Sequence, residues 1–249
     1  MESLGKITEY INGLLNIDQF KDYGPNGLQV AGKDSVTKII TGVSATQALI
    51  EAAIDQQADA ILVHHGWFWK NEDPRIVGIK YRRLKLLMQH DISLLGYHLP
   101  LDAHPELGNN AQLAKLFGFS MDDVMDEQGV GNIGQLKKAI SLNDLGAKIE
   151  AVLQRKPLLI DAGDYKIERV AWCSGGAQGW INQAIDAGVD AFISGEISEH
   201  TVHSARESGV HYIAAGHHAT ERYGVKALGE HLADKFDIDC QFIDIDNPA

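Results

Sequence analysis

Cysteine is nearly missing from this 249-residue chain, which has only Cys173 and Cys240. A pair so widely separated offers neither a disulfide framework nor zinc-finger spacing. Basic residues are also in deficit, with 22 Lys and Arg against 34 Asp and Glu and a formal net charge of −12. Nucleic-acid backbones and anionic membrane surfaces are held by clustered Lys and Arg. The balance therefore argues against either as a general partner, while still allowing a local basic pocket for one small phosphate. No apolar run approaches the ~20 residues of a membrane span. The opening "MESLGKITEYINGLL" mixes acidic and polar residues with apolar ones, so it reads as an amphipathic helix rather than a signal peptide. Together these absences predict a cytoplasmic protein. A hydrophobic content of 45% is ordinary for a chain with a sizeable core, and the length suits one large α/β domain or two smaller ones.

The most informative feature present is a repeat. Residues 36–65, "VTKIITGVSATQALIEAAIDQQADAILVHH", align without a gap with residues 167–196, "IERVAWCSGGAQGWINQAIDAGVDAFISGE". Identities fall at Gln47/Gln178, Ile50/Ile181, Ala53/Ala184, Ile54/Ile185, Asp55/Asp186, Asp59/Asp190 and Ala60/Ala191. Each copy reads as strand, turn, helix and strand, the β-α-β unit that joins parallel strands. A helix and a further strand follow each copy: "ISLLGYHLPLD" at 92–102 in the first and "VHYIAAGHHATE" at 210–221 in the second. The first copy carries an extra connection, "WFWKNEDPRIVGI". The middle, with "MDDVMDEQGVGNIG" and a helix around 142–155, breaks the pattern. The expected fold is α/β: two pseudo-symmetric three-layer α/β/α lobes arising from internal duplication. Residues 1–117 form the first lobe, 118–165 an insertion or bridging segment, and 166–249 the second lobe.

Ligands in open α/β sheets gather at the carboxyl ends of strands. Those ends carry His64 and His65, then His98, Asp102 and His104, in the first half, and Glu196, then His217, His218 and Glu221, in the second. Imidazole with carboxylate suits borderline divalent metals. His217 and Glu221 are four apart and share a face if "HHATER" opens a helix. His64 and His65 would point to opposite faces of a regular strand, so both reach one site only if the chain turns there, which Gly66 permits. Three His and two carboxylates exceed one catalytic zinc, which takes three protein ligands. They suit two metals sharing a carboxylate and a water.

Other features read more plainly. His90, His200, His203 and His231 fall in predicted helices as solvated or structural residues. Arg222 fits a salt bridge within its own helix better than a substrate contact. "GVGNIG" matches G-x-G-x-x-G but lacks a preceding buried strand. Cys173 in "CSGG" has no local histidine to activate it and reads as core.

The stretches "YGPNGLQV", "ILVHHGWFW", "GYHLPLDAHPELGNNAQLA", "SGEISE", "AAGHHATER" and "DIDNP" together resemble the NIF-three-like family. Bacterial members are commonly labelled GTP cyclohydrolase I type 2 homologues. The resemblance runs from about residue 20 to the end. It implies two α/β/α lobes, a toroidal homohexamer assembled from dimers, and a dinuclear centre facing the inner cavity. Carried over by motif, the metal ligands are His64, His65, Asp102, His217 and Glu221. The expected function is a dinuclear metal-dependent hydrolase with two divalent ions per subunit, iron, zinc, manganese or nickel. Opening of a purine-nucleotide ring fits both the machinery and the label. His98, Glu196 and His218 are then the candidate proton carriers, with the 67–69 aromatics, and Arg222 where its helix leaves it available, as candidate ring and phosphate contacts. The expected partners are a small-molecule substrate and further copies of the chain, with no membrane and no extended nucleic-acid interface. Two alternatives need the same five ligands: a metal-delivery chaperone and a ring-shaped interaction scaffold.

Overall fold

The first "ADA" of the repeat shows how the sequence builds its sheets. In the computed structural model, which describes residues 1–249, buried Asp59 precedes the strand Ala60–His65 and reaches across to the start of its neighbour, Lys38–Ser44. Its Oδ2 accepts from the amides of Thr37 at 2.8 Å and Lys38 at 3.2 Å, and from the Thr37 hydroxyl at 2.7 Å. Asp190 repeats the device: its Oδ2 accepts from the amides of Glu168 at 2.9 Å and Arg169 at 2.8 Å. The repeated aspartates thus satisfy amides at the entry of a parallel strand, where the ladder has not yet begun.

The first compact unit comprises Met1–Leu101 and Gly224–Asp246. Its five-stranded sheet runs in the order Asp239–Phe242, Lys38–Ser44, Ala60–His65, Ser93–Gly96, Gly27–Val30. The first four are parallel and the last is antiparallel. On one face, Ile40, Ile61, Val63 and Leu94 pack with Leu49, Ile50 and Ala53 of helix Gln47–Asp55 and with Leu84 and Leu87 of helix Gly78–Gln89. Thr46 caps the first of these helices by accepting from the Leu49 amide. Helix Leu4–Leu14 buries Ile7 and Ile11, and the later turns of helix His217–Phe236 bury Val225, Leu228 and Leu232. Gly229 lies so close to the sheet that a Cβ there would meet Thr41 Cγ2 at 2.8 Å, which completes a third layer.

The second unit comprises Asp102–Tyr223 and Asn247–Ala249. Its six strands run Asp123–Val124, Asn132–Ile140, Ile167–Cys173, Ala191–Ser194, His211–Ala214, Leu158–Ile160. The central three are parallel, like their counterparts in the repeat. Helices Asn109–Phe117 and Leu142–Leu153 contribute Leu113, Phe117, Leu145 and Ile149 to a core with Val170, Trp172, Ile193 and Ile213. Helices Ile181–Asp186 and Glu199–Ser208 bury Ile181, Ala184 and Ala205. The fold is a layered α/β arrangement in each unit.

These units cut across the sequence boundaries at 117 and 165. Residues 102–117 lie in the second unit, and the 118–165 segment supplies flanking strands to its sheet. Residues 224–246 lie in the first, because Asp239–Phe242 pairs in parallel with Lys38–Ser44. Hydrophobic periodicity identifies such a strand without saying which sheet edge it joins. "GVGNIG" enters the antiparallel strand Asn132–Ile140 rather than opening a helix, so it has no dinucleotide-binding context. No helix is long and apolar enough to cross a membrane.

Asp59 yields a stability prediction. Burial pushes its pKa up, but hydrogen bonds from Thr37, Lys33 and Lys38 outweigh that and hold it below the ordinary value. Its contribution is therefore present above the unfolded pKa near ~4 and is lost as pH falls through the lower folded value. Asp59→Asn is expected to cost about 1–3 kcal/mol at pH 7. Chemical denaturation of the two proteins should show this gap narrowing below about pH 4.

Candidate metal centre

In the first unit, the strand Ala60–His65 ends on its two histidines, and His98 follows the neighbouring strand Ser93–Gly96. One ring nitrogen of each of His64, His65 and His98 lies within 4.8 Å of the others. The adjacent rings of His64 and His65 sit with centroids 4.6 Å apart, so both serve the same side of the strand end. The turn that follows is closely packed: a Cβ at Gly66 would lie 2.2 Å from Gln29 Oε1, which accepts from the Trp67 amide. The rings are oriented by fixed acceptors. His64 is fully buried and its Nδ1 donates to the Tyr97 carbonyl at 3.0 Å. His98 Nδ1 donates to Asp22 Oδ1 at 2.7 Å, and His65 Nδ1 meets Ser44 Oγ at 3.0 Å. A carbonyl or carboxylate on Nδ1 puts the proton there and the ligating lone pair on Nε2. Burial pushes Asp22 up, but His98, Asn26 and the Tyr23 amide outweigh it and keep its carboxyl below the ordinary range.

In the second unit, His217 and Glu221 occupy the first turns of helix His217–Phe236, and His217 Nε2 lies 3.2 Å from Glu221 Oε2. Asp102 and Glu221 are both buried, with an oxygen of each within 4.8 Å of the other. Asp102 Oδ1 accepts from Asn109 Nδ2 at 2.9 Å and Ser174 Oγ at 2.9 Å. His217 Nδ1 donates to Glu196 Oε1 at 2.6 Å. Burial opposes the imidazolium of His217, but Glu221 and Glu196 outweigh it and raise its pKa to about 9. Gly175 closes the set. Its φ is +64°, and a Cβ there would lie 2.1 Å from Glu221 Oε1 and 3.2 Å from His217 Nε2.

The donor chemistry fits a divalent cation. Two buried carboxylates at such close range repel unless something positive lies near them, and imidazole beside carboxylate selects borderline metals. Each unit therefore holds His or His and carboxylate groups that could bind metal. Glu196 acts through His217 as the outer partner that fixes its tautomer. Glu196→Ala is expected to lower metal affinity about 10–100-fold while leaving the circular dichroism spectrum unchanged, as a metal titration would show.

The remaining sequence-predicted residues fall elsewhere. His218 belongs to none of the groups that could hold a metal, and its amide donates to the Ala249 carbonyl at 3.2 Å. His104 Nδ1 accepts from the amides of Glu106 and Leu107. Arg222 donates to the Leu153 carbonyl at 2.6 Å, which ties its helix to the end of Leu142–Leu153. Of the 67–69 aromatics, Trp67 is core, with Nε1 on the Ala45 carbonyl. Trp69 instead meets the His98 ring edge-on at 5.0 Å. Cys173 is buried and, through burial and then the charges of Asp102 and Glu221, its thiol is pushed well above the ordinary value. That leaves an inert thiol. Its neighbours Ser174 and Gly175, together with Asp22 and Asn109, are the site residues that sequence reasoning missed. Asp22 lies just before "YGPNGLQV" and Asn109 inside "LGNNAQL", both short polar stretches.

Imidazoles and buried carboxylates at the carboxyl ends of parallel strands define an α/β protein with groups that could bind metal. The chain belongs to the family described as Duf34/NIF3 (NGG1p interacting factor 3), whose model matches residues 3–248. It is 55% identical to a protein of Haemophilus influenzae named GTP cyclohydrolase 1 type 2 homolog, covering 98% of each chain. A protein of the same name from Pseudomonas aeruginosa is 52% identical over 99% of each. The solved structure of protein ybgI, described as of unknown function, is 53% identical, with a TM-score of 0.97 and complete coverage of both chains (100%).

Proposed function

We propose that the protein is a dinuclear metal-dependent hydrolase whose centre is held by His64, His65, Asp102, His217 and Glu221. The observation that carries this reading is the buried Asp102–Glu221 pair flanked by an oriented histidine. Glu221 would hold metal together with Asp102 and His217, both of which approach it. Two divalent ions, of iron, zinc, manganese or nickel, supply Lewis acidity and lower the pKa of a water. The chain's own residues do the rest. Ser174 and Asn109 hold Asp102, and Glu196 holds His217. His98, braced by Asp22, accepts and returns a proton at Nε2. The names of the relatives support a purine nucleotide as substrate, with ring opening as the reaction. A cytoplasmic, ring-shaped homohexamer completes the proposal. Self-association of some order is supported by Ile76, Val77 and Ile79, each more than half exposed at 55%, 60% and 57%, since exposed apolar groups favour an interface.

The test is turnover of GTP and a panel of nucleotides, esters and peptides with metal restored. The reading expects ring opening of GTP above the rate of an Asp102→Ala, Glu221→Ala double variant. Equal rates across the whole panel would sink it.

A further inference from the structure

Beside the histidine set, the first unit contains a cavity of about 680 Å³, lined in part by Phe20, Lys21, Asp22, Phe68 and Lys70. Its walls come from the stretches 17–26 and 68–70, which are tied together. The Lys70 amide donates to the Tyr23 carbonyl at 2.7 Å, and Lys70 Nζ donates to the Asp22 carbonyl at 2.5 Å. Trp69 packs so closely on Gly24 that a Cβ there would lie 3.1 Å from its ring. The cavity is therefore built before any ligand arrives.

The same stretches brace the histidines. Asp22 holds His98 Nδ1, Asn26 Oδ1 accepts from the His98 amide at 2.8 Å, and the Trp69 ring stands against His98. An occupant of the cavity lies one side chain away from His98. Phe68 is the telling residue. It is 39% exposed and its φ is +66°, a left-handed backbone that bulky side chains rarely adopt. Such strain is held where it serves a site, and here it presents an aromatic ring to the cavity rather than to the core. The charge of the lining is also unlike that of the chain. Asp22 spends its carboxylate on His98, Asn26 and the amides of Tyr23 and Leu99. The lining thus sets two cations, Lys21 and Lys70, against the carboxylates of Asp22 and Asp18, and Asp18 offers an acceptor for a ring N–H or amino group.

We infer that this cavity is the recognition site for a small molecule that combines a donor-bearing aromatic ring with a phosphate. The ring stacks against Phe20 or Phe68, and Lys21 and Lys70 hold the phosphate. The inference deepens the hydrolase reading and rests on it for the choice of GTP as probe.

The test is equilibrium dialysis of GTP, guanosine and inorganic triphosphate against the metal-loaded full chain, its Lys21→Met variant and its Phe68→Gly variant. Glycine accepts the positive φ, so the second variant removes the ring while relieving the backbone. Metal content should stay equal in all three proteins. Lys21→Met should weaken GTP about tenfold or more, the scale of one charged hydrogen bond, and leave guanosine unchanged. Phe68→Gly should weaken GTP and guanosine and leave triphosphate unchanged. No GTP binding by the wild type, or variants that bind it as the wild type does, would overturn the inference. The two readings fail separately. GTP bound with this pattern and never turned over sinks the hydrolase and leaves the cavity. Turnover with KM unchanged in both variants sinks the cavity and leaves the hydrolase.

Discussion

Glu221→Gln is expected to strip the protein of most of its metal, with affinity lower by at least about 100-fold. Outer partners of a metal ligand already account for about 10–100-fold when removed, and Glu221 is proposed as a ligand itself. The substitution keeps the side chain's volume and its helical position while removing the charge. An oxygen of Glu221 lies within 4.8 Å of one from Asp102, and Oε2 is 3.2 Å from His217 Nε2. Bound metal raises the unfolding midpoint by mass action when it binds only the folded state. A thermal melt with and without added metal should therefore shift for the wild type and stay still for the variant. An equal shift in both would show that Glu221 is not a ligand.

Gly175→Ala should be nearly as damaging, through a different cause. The new methyl would sit 2.1 Å from Glu221 Oε1, and the backbone there has φ of +64°. A left-handed alanine alone costs roughly 1–2 kcal/mol, and the methyl must also push Glu221 off its position. Loss of metal affinity on the order of 10–100-fold is expected, as for other changes that misplace a ligand, with a fall in stability of about 1–3 kcal/mol. Gly176→Ala supplies the control, because a Cβ there would be 3.6 Å from its nearest neighbours, the Glu196 carboxylate and His217. Isothermal titration with metal should separate the two variants. Equal affinities would mean that the close approach of Gly175 to Glu221 has no part in metal binding.

Much of this was legible in the sequence, and particular residues show why. The aspartates of "ADA" and "VDA" marked the repeat, and each satisfies the amides that open the neighbouring parallel strand. The doublet at 64–65 was readable because it closes an apolar run. The spacing of His217 and Glu221 was readable because helical periodicity is local. The supports were not legible. Asp22 meets His98 across 76 residues and Ser174 meets Asp102 across 72, separations that no periodicity encodes. Gly175 is likewise defined by a distant partner, since its close approach is to Glu221, 46 residues further on. The return of Asp239–Phe242 to the first sheet was hidden for the same reason: strand patterning fixes which residues are buried, not which edge they join.

The central proposal is that His64, His65, Asp102, His217 and Glu221 hold two metal ions. Elemental analysis of metal-reconstituted, desalted protein tests it most directly, run on the wild type, His65→Ala and Glu221→Gln. The account predicts two equivalents per chain for the wild type and a clear loss of metal in both variants, one from each half. A wild type that retains no metal, or a His65→Ala variant that keeps the full complement, would contradict it.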